Sequence, residues 1–146
     1  MILIWLAALV VVLDQLTKYI VVAMMTGQSI PVIPNIFHLT YILNPGAAFG
    51  MFAHSRTFFI GVALLVLIIV WWFRKEILAE PLCVRAGTAL FIGGAVGNLI
   101  DRSVNGMVVD FFDFRIWPIF NVADIAICVG VGLIIWNLIQ TEILEK

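Results

Sequence analysis

Three aspartates of this sequence, Asp14, Asp101 and Asp124, lie in or at the edge of long apolar runs. A carboxylate in such surroundings is costly, so each one is a candidate for chemistry. One apolar run ends near Asp101 and the next begins near Asn121, so antiparallel helices would bring Asp101 and Asp124 to one level. Two carboxyls in a poorly hydrated site tend to share one proton. Such a pair favours peptide hydrolysis, in which one carboxylate activates water and the protonated one polarises the scissile carbonyl.

The two helix ends predict different roles for the members of this pair. A helix N-terminus favours an anion and a C-terminus disfavours one, so we expect Asp124 to be the ionised base and Asp101 its protonated partner. The neighbouring Asn98 and Arg102 could reverse this assignment. Each aspartate also has a simpler interpretation. Asn121-x-x-Asp124 matches a helix N-cap with an acidic third residue, and Asp101 with Arg102 could be an interfacial charge pair.

The remaining polar residues of the apolar runs have structural interpretations first. Asp14 and Lys18 are four residues apart, so on a helix they share a face and can form a site-shaping ion pair. A proton relay is the alternative. The small residues 93–97 predict close helix packing, or space for a substrate helix. Asp110 and Asp113 fall between apolar runs, where we expect solvated or turn-forming side chains.

The apolar runs themselves predict a membrane protein. The 146 residues are 64% hydrophobic and 12% charged, whereas soluble domains run at roughly half apolar and a quarter charged. A span needs about 20 residues, which predicts a mainly α integral membrane protein forming a single membrane domain, 1–146. We expect four transmembrane helices over about 2–25, 57–73, 82–100 and 122–139.

The segments between these helices predict a small β-element and loop cap on the outer face. Side chains of residues 36–43 partly follow the two-residue alternation of a strand before the turn at Asn44, and residues 108–114 also predict a short strand. Aromatic side chains suit the headgroup region; here they are Phe37, Tyr41, Phe111, Phe112, Phe114 and Trp117. The outer segments are 26–56 and 103–120, and the first, being long and apolar, could close over a site as a lid.

Charge indicates orientation and excludes some partners. Four spans put both termini on one side, with Arg74, Lys75, Arg85 and Lys146 there and three arginines opposite. This bias favours cytoplasmic termini and a site near the outer face. A net charge of -1 gives no basic surface for nucleic acid. The cysteines lack CxxC spacing and the two histidines are separate, so we expect no metal site and no disulfide framework.

Two other classes of protein remain to be compared with a protease. A proton-coupled carrier would use Asp14, Lys18 and the outer aspartates, but it should show an internal repeat or a broken helix pair. A non-catalytic scaffold would explain the glycines but not why polar residues gather at two helix ends.

Several motifs together resemble lipoprotein signal peptidase, also called signal peptidase II. They are residues 14–18 (DQLTK), 44–50 (NPGAAFG), 93–102 (GGAVGNLIDR), 108–111 (VVDF) and 120–124 (FNVAD). The resemblance runs over most of the chain, in the expected order and on the expected helices. Neither the carrier nor the scaffold accounts for these ordered motifs.

The resemblance implies an aspartyl endopeptidase of the bacterial inner membrane, multi-pass and without metal or organic cofactor. Its substrate would be a prolipoprotein carrying diacylglycerol on a cysteine, cut just before that cysteine, among membrane lipids. Globomycin-like cyclic peptides would inhibit it, and we expect a monomer. By motif, Asp101 and Asp124 match the catalytic pair and Asp14 and Lys18 a supporting pair. The residues lining the site would be Asn44, Gly46, Asn98, Arg102, Asn121 and Ala123.

Overall fold

The computed structural model describes residues 2–46 and 55–144 of the chain. They form a mainly helical protein with one small sheet, as predicted. In chain order the elements are α1 (Ile2–Met25), β1 (Ser29–Ile33), β2 (Phe37–Asn44), α2 (Arg56–Trp72), α3 (Arg74–Ala79), α4 (Leu82–Val104), β3 (Val108–Asp113) and α5 (Val122–Leu144).

Three helices of the described part of the chain are long and apolar enough to cross a membrane: Leu3–Met25, Leu82–Val104 and Val122–Ile143. The helix α2 is also apolar but has only 17 residues. At 1.5 Å per residue it covers about 26 Å, somewhat less than the ~30 Å hydrocarbon core. Three of the four predicted spans therefore satisfy the length criterion, and the fourth stays a prediction.

Small residues allow α4 and α5 to approach closely. A Cβ atom added at Gly87 would lie 2.6 Å from the Gly130 carbonyl oxygen. One added at Gly94 would collide with the carbonyl oxygen of Ala123. Glycine is thus needed where the two backbones meet, which confirms the packing role predicted for the small residues of α4.

The sheet lies at the end of the bundle where α1 and α4 finish and α5 begins. Its strands are antiparallel in the order β1-β2-β3. Strands β2 and β3 match the two predicted strands closely, whereas β1 was not predicted. The segment predicted to be a lid, 26–56, contains strands β1 and β2; it also includes residues 47–54, which lie outside the described residues.

The alternation of side chains along β3 decides which of them reach the site. Val109 and Phe111 pack in the core against Val21 and Met25 of α1. Since strand side chains alternate, Val108 and Asp110 face the other way. Two expectations were wrong here. Phe111 is only 3% exposed and does not lie among lipid headgroups, and Asp110 is 2% exposed, not solvated. Asp113 is also buried.

Candidate active site

A pocket of about 470 Å³ opens where α4, α5, β2 and β3 meet. Five of the predicted site residues line it, with Asp110 among its polar groups and an apolar wall from α5 and the loop before it. The lining residues are Asn44, Gly46, Asn98, Arg102, Val108, Asp110, Trp117, Pro118, Ile119, Phe120, Asp124, Ile125, Cys128 and Val129.

Asp124 is held at the first turn of α5 by a reciprocal helix cap. The backbone N–H of Asp124 donates to Asn121 Oδ1 at 2.9 Å, and the backbone N–H of Asn121 donates to Asp124 Oδ2 at 3.1 Å. The other carboxylate oxygen accepts from Asn98 Nδ2 at 2.8 Å. The simpler interpretation of Asn121-x-x-Asp124 as a cap is therefore right. The same cap aims the carboxylate into the pocket.

Asp110 is the second carboxyl of the pocket. Asn44 Nδ2 donates to its Oδ2 at 2.8 Å, and Asn121 Nδ2 donates to its Oδ1 at 2.7 Å. Burial, reinforced by the negative charge of Asp124, raises the pKa of Asp110 to about 7, although the two amide donors and Lys18 oppose the rise. A carboxyl with such a pKa holds its proton close to neutral pH, as the acidic partner in peptide hydrolysis must.

Asp101 occupies a different environment from the one we expected. Its Oδ2 lies 3.0 Å from Lys18 Nζ and accepts the Val109 N–H at 3.1 Å, while its Oδ1 accepts from Gln15 at 2.9 Å. These contacts tie Asp101 to α1 through Lys18 and Gln15 and to β3 through Val109. Among the described residues, Asp101 is not part of the pocket lining. Its link to Asp124 runs through Lys18 and Asn98.

The predicted pair of Asp14 and Lys18 is present and fully buried beside the pocket. Their charged atoms are 2.8 Å apart, and the free oxygen of Asp14 accepts the Ala123 N–H at 2.9 Å. Ala123 itself is completely buried, so it supports the site without lining the pocket. The pair fixes α1 against the start of α5, with one lysine compensating Asp14 and Asp101 together.

Arg102 and the Asn44 turn form the opposite rim. Arg102 Nη2 donates to the Gly46 carbonyl at 3.0 Å, and its guanidinium lies 4.6 Å from the Phe59 ring centroid. The Gly46 N–H in turn donates to Asn44 Oδ1 at 2.9 Å. The charge of Arg102 also interacts with Asp124, Asp110 and Asp101. A cation held here offsets the negative charge of the neighbouring carboxyls.

Sequence reasoning missed two residues of this network. Gln15 joins α1 to Asp101 and to the Gly97 carbonyl at 3.2 Å. Asp110 carried a signal that was overlooked: a lone acid between apolar residues of a predicted strand, sharing a face with Val108.

Within the described ranges, no cluster of three or more His, Cys, Asp or Glu side chains is suited to hold a metal ion.

Comparison with known proteins assigns the family. Residues 6–140 match the model of the family described as Signal peptidase (SPase) II. The lipoprotein signal peptidase of Moorella thermoacetica is 48% identical over 135 residues, covering 92% of this chain and 90% of that protein. The enzyme of the same name from Haemophilus influenzae (strain Rd) is 45% identical, covering 94% and 85%.

Solved structures agree. One, described as a bacterial membrane enzyme, superposes with a TM-score of 0.91 at 39% identity and covers 99% of this chain and 91% of its own. A second gives a TM-score of 0.83 at 40% identity, covering 93% and 91%. The resemblance found in the motifs is thereby confirmed, and the chain belongs to the signal peptidase II family.

Proposed function

We propose that this protease cleaves the signal peptide of lipoproteins with Asp110 and Asp124 as its catalytic pair. One observation supports the pair above all: both carboxyls line one pocket, and Asn121 donates to each of them, at 2.7 Å and 3.1 Å. Asp101 has the simpler task of neutralising Lys18 and anchoring β3 through the Val109 N–H. The catalytic roles predicted for Asp101 and Asp124 thus become roles for Asp110 and Asp124.

The chemistry follows from the two environments. Asp124 sits at a helix N-terminus, which favours its anion, so it takes a proton from the attacking water. Because its pKa is raised to about 7, Asp110 keeps its proton below that pH. It donates a hydrogen bond to the scissile carbonyl as the carbonyl oxygen becomes negative. The side-chain amides of Asn44, Asn98 and Asn121 hold the carboxyls in place. Preorganised donors of this kind lower the barrier because they need no reorganisation during the reaction.

The substrate proposed is a prolipoprotein whose cysteine carries diacylglycerol, cut just before that cysteine. The apolar wall of Pro118, Ile125, Cys128 and Val129 supports this choice. A signal peptide and its lipid both arrive through the membrane, so a pocket at the end of the spans can accept apolar chains while water reaches the bond.

We propose one membrane domain with four spans in the bacterial inner membrane, cytoplasmic termini, the pocket at the outer face and a monomeric state. The basic residues Arg74, Lys75 and Arg85, at the end away from the pocket, support this orientation. The pocket would also bind globomycin-like cyclic peptides.

The test is cleavage of a diacylglyceryl-modified prolipoprotein by the purified protein in detergent, with products mapped by mass spectrometry. We expect one cut before the lipidated cysteine, none in the unlipidated precursor, and none with Asp124→Asn. Equal cleavage of the unlipidated precursor would overturn the substrate, and full activity of Asp124→Asn would overturn the pair.

A further inference from the structure

A second cavity, of about 480 Å³, lies at the end of the bundle away from the catalytic pocket. It is formed by the start of α1, the end of α2, the short helix α3 and the start of α4. Two arginines are the only charged residues among its described lining. The lining residues are Leu3, Ile4, Ala7, Leu67, Val70, Trp71, Arg74, Ile77, Leu78, Arg85, Thr88, Ala89 and Ile92.

Arg85 is poorly satisfied there. Its Nε is shielded from solvent, and no acceptor for it exists among the described residues. No carboxylate of the described ranges forms a salt bridge with Arg85 or with Arg74. A buried charged donor without an acceptor costs more than an ordinary lost hydrogen bond. The position therefore favours an anionic group that the chain itself does not supply.

Arg74 stands at the rim of the same cavity. Its Nη1 donates to the Trp71 carbonyl at 2.9 Å, and its guanidinium lies 4.5 Å from the centroid of the Trp71 ring. These two contacts hold the planar group in place and leave it donors to spare. Trp71 and Leu78 beside it are 68% and 56% exposed, so the cavity opens to the surrounding lipid.

We propose that this cavity binds one anionic glycerophospholipid, with its phosphodiester between Arg85 and Arg74 and an acyl chain along Leu67, Val70 and Ile92. Guanidinium groups bind phosphate oxygens bidentately, and basic pockets between membrane helices suit such headgroups. The apolar remainder of the cavity fits a lipid tail but not a free phosphate ion. A signal peptide is a poorer occupant, because its basic start would be repelled by both arginines.

The lipid site is separate from catalysis. Arg85 and Asn98 are about 13 residues apart on α4, which is roughly 20 Å along the helix. A lipid bound here would join α1, α2, α3 and α4, so its expected effect is on stability and not on the chemical step.

The test compares thermal stability and native mass spectra of the detergent-purified protein with added phosphatidylglycerol or phosphatidylcholine of the same acyl chains. We expect retained phosphatidylglycerol and a higher melting temperature with that lipid only. Arg85→Gln should weaken its binding about tenfold or more, as for a lost charge-assisted bond. Lys75→Gln is the matched control, since it removes a charge from α3 but does not line the cavity.

Two further probes keep the outcome decisive. Arg85→Lys should restore part of the binding, and Arg74→Gln, at an exposed position, should weaken it even if Arg85→Gln folds poorly. Equal binding of both lipids, or equal weakening by Lys75→Gln and Arg85→Gln, would overturn a specific site. Stabilisation by sn-glycerol 1-phosphate alone, as large as that by the lipid, would overturn a lipid in favour of a phosphate site.

Discussion

Exchanging Asp110 for Asn is the perturbation that separates the two possible catalytic pairs. The substitution keeps the size of the side chain but removes the proton that Asp110 would use to hydrogen-bond the scissile carbonyl. It also places the amide NH2 of the new side chain against one of two donors. In the parent protein, Asn44 Nδ2 and Asn121 Nδ2 lie 2.8 Å and 2.7 Å from the Asp110 carboxyl oxygens. That mismatch costs on the order of 1 kcal/mol in stability. Loss of an acid–base group costs much more in rate, about 10²- to 10⁴-fold.

Exchanging Asp101 for Asn should affect stability first. It removes one of the two carboxylates that surround Lys18, at 3.0 Å, while Asp14 remains at 2.8 Å. Breaking a buried pair costs roughly 3 kcal/mol, which corresponds to about 6–12 °C in melting temperature. Below the melting temperature of the Asp101→Asn variant, we expect its folded fraction to cleave faster than the folded fraction of the Asp110→Asn variant.

The assay is single-turnover cleavage of the lipidated precursor, with each rate divided by the folded fraction from a melting curve. Asp113→Asn is the matched control on β3. Burial raises the pKa of Asp113, but the backbone and side chain of Arg115 together with Thr40 more than offset this and lower it. Asp113 does not line the pocket, so its variant should cleave normally. A folded Asp110→Asn protein that cleaves at a tenth of the parent rate or better would refute the pair and return Asp101 to it.

Other predictions follow from the packing around the site. Gly97→Ala should destabilise the protein by about 1–3 kcal/mol, because its Cβ would lie 2.6 Å from Asp14 Oδ2; Gly132→Ala, whose Cβ meets nothing within 4 Å, is the control and should melt no lower than the parent. Asn121→Ala should lower stability by about 1 kcal/mol through the lost cap and should also abolish most cleavage, because Asp110 loses the Asn121 Nδ2 donor and the backbone N–H of Asp124 loses its Oδ1 acceptor; unchanged cleavage would remove Asn121 from the site. Cleavage should persist in excess chelator, whereas inhibition reversed by a divalent cation would indicate a metal enzyme.

The membrane spans and the helix ends could be predicted from the sequence, because the bilayer sets the length of each span. The start of α5 at Val122 follows from Asn121 as its cap, and the level of Asp124 follows from that. The pairing of Asp14 with Lys18 follows from a spacing of one helical turn. None of these inferences needs a tertiary contact.

The choice between Asp101 and Asp110 did need one. Both lie near the same end of the bundle, and the packing of β3 shows that Val109 faces the core while Asp110 faces the pocket. A shift of one residue in that strand would exchange the two faces. The lysine that neutralises Asp101 also comes from another helix, 83 positions away in the chain, which no local pattern indicates.

The short elements were missed for a related reason. Strand β1 contains Pro31, which argues against a central strand but is tolerated at a sheet edge. Only the order β1-β2-β3 shows that it is an edge. The six-residue helix α3 lies between the second and third predicted spans, where we predicted no helix, and so short a helix has little signal of its own.

The pH dependence of kcat for the lipidated precursor tests the proposed pair of Asp110 and Asp124 most directly. The pKa of Asp110 is raised to about 7, so its proton is present below that pH and is lost above it. Asp124 must be ionised, so kcat should also fall at acidic pH. The pH profile should therefore be bell-shaped, with two limbs that belong to the coupled pair of carboxyls. We expect the alkaline limb near pH 7. A rate that stays constant or rises from pH 6 to pH 9 would contradict Asp110 as the acid.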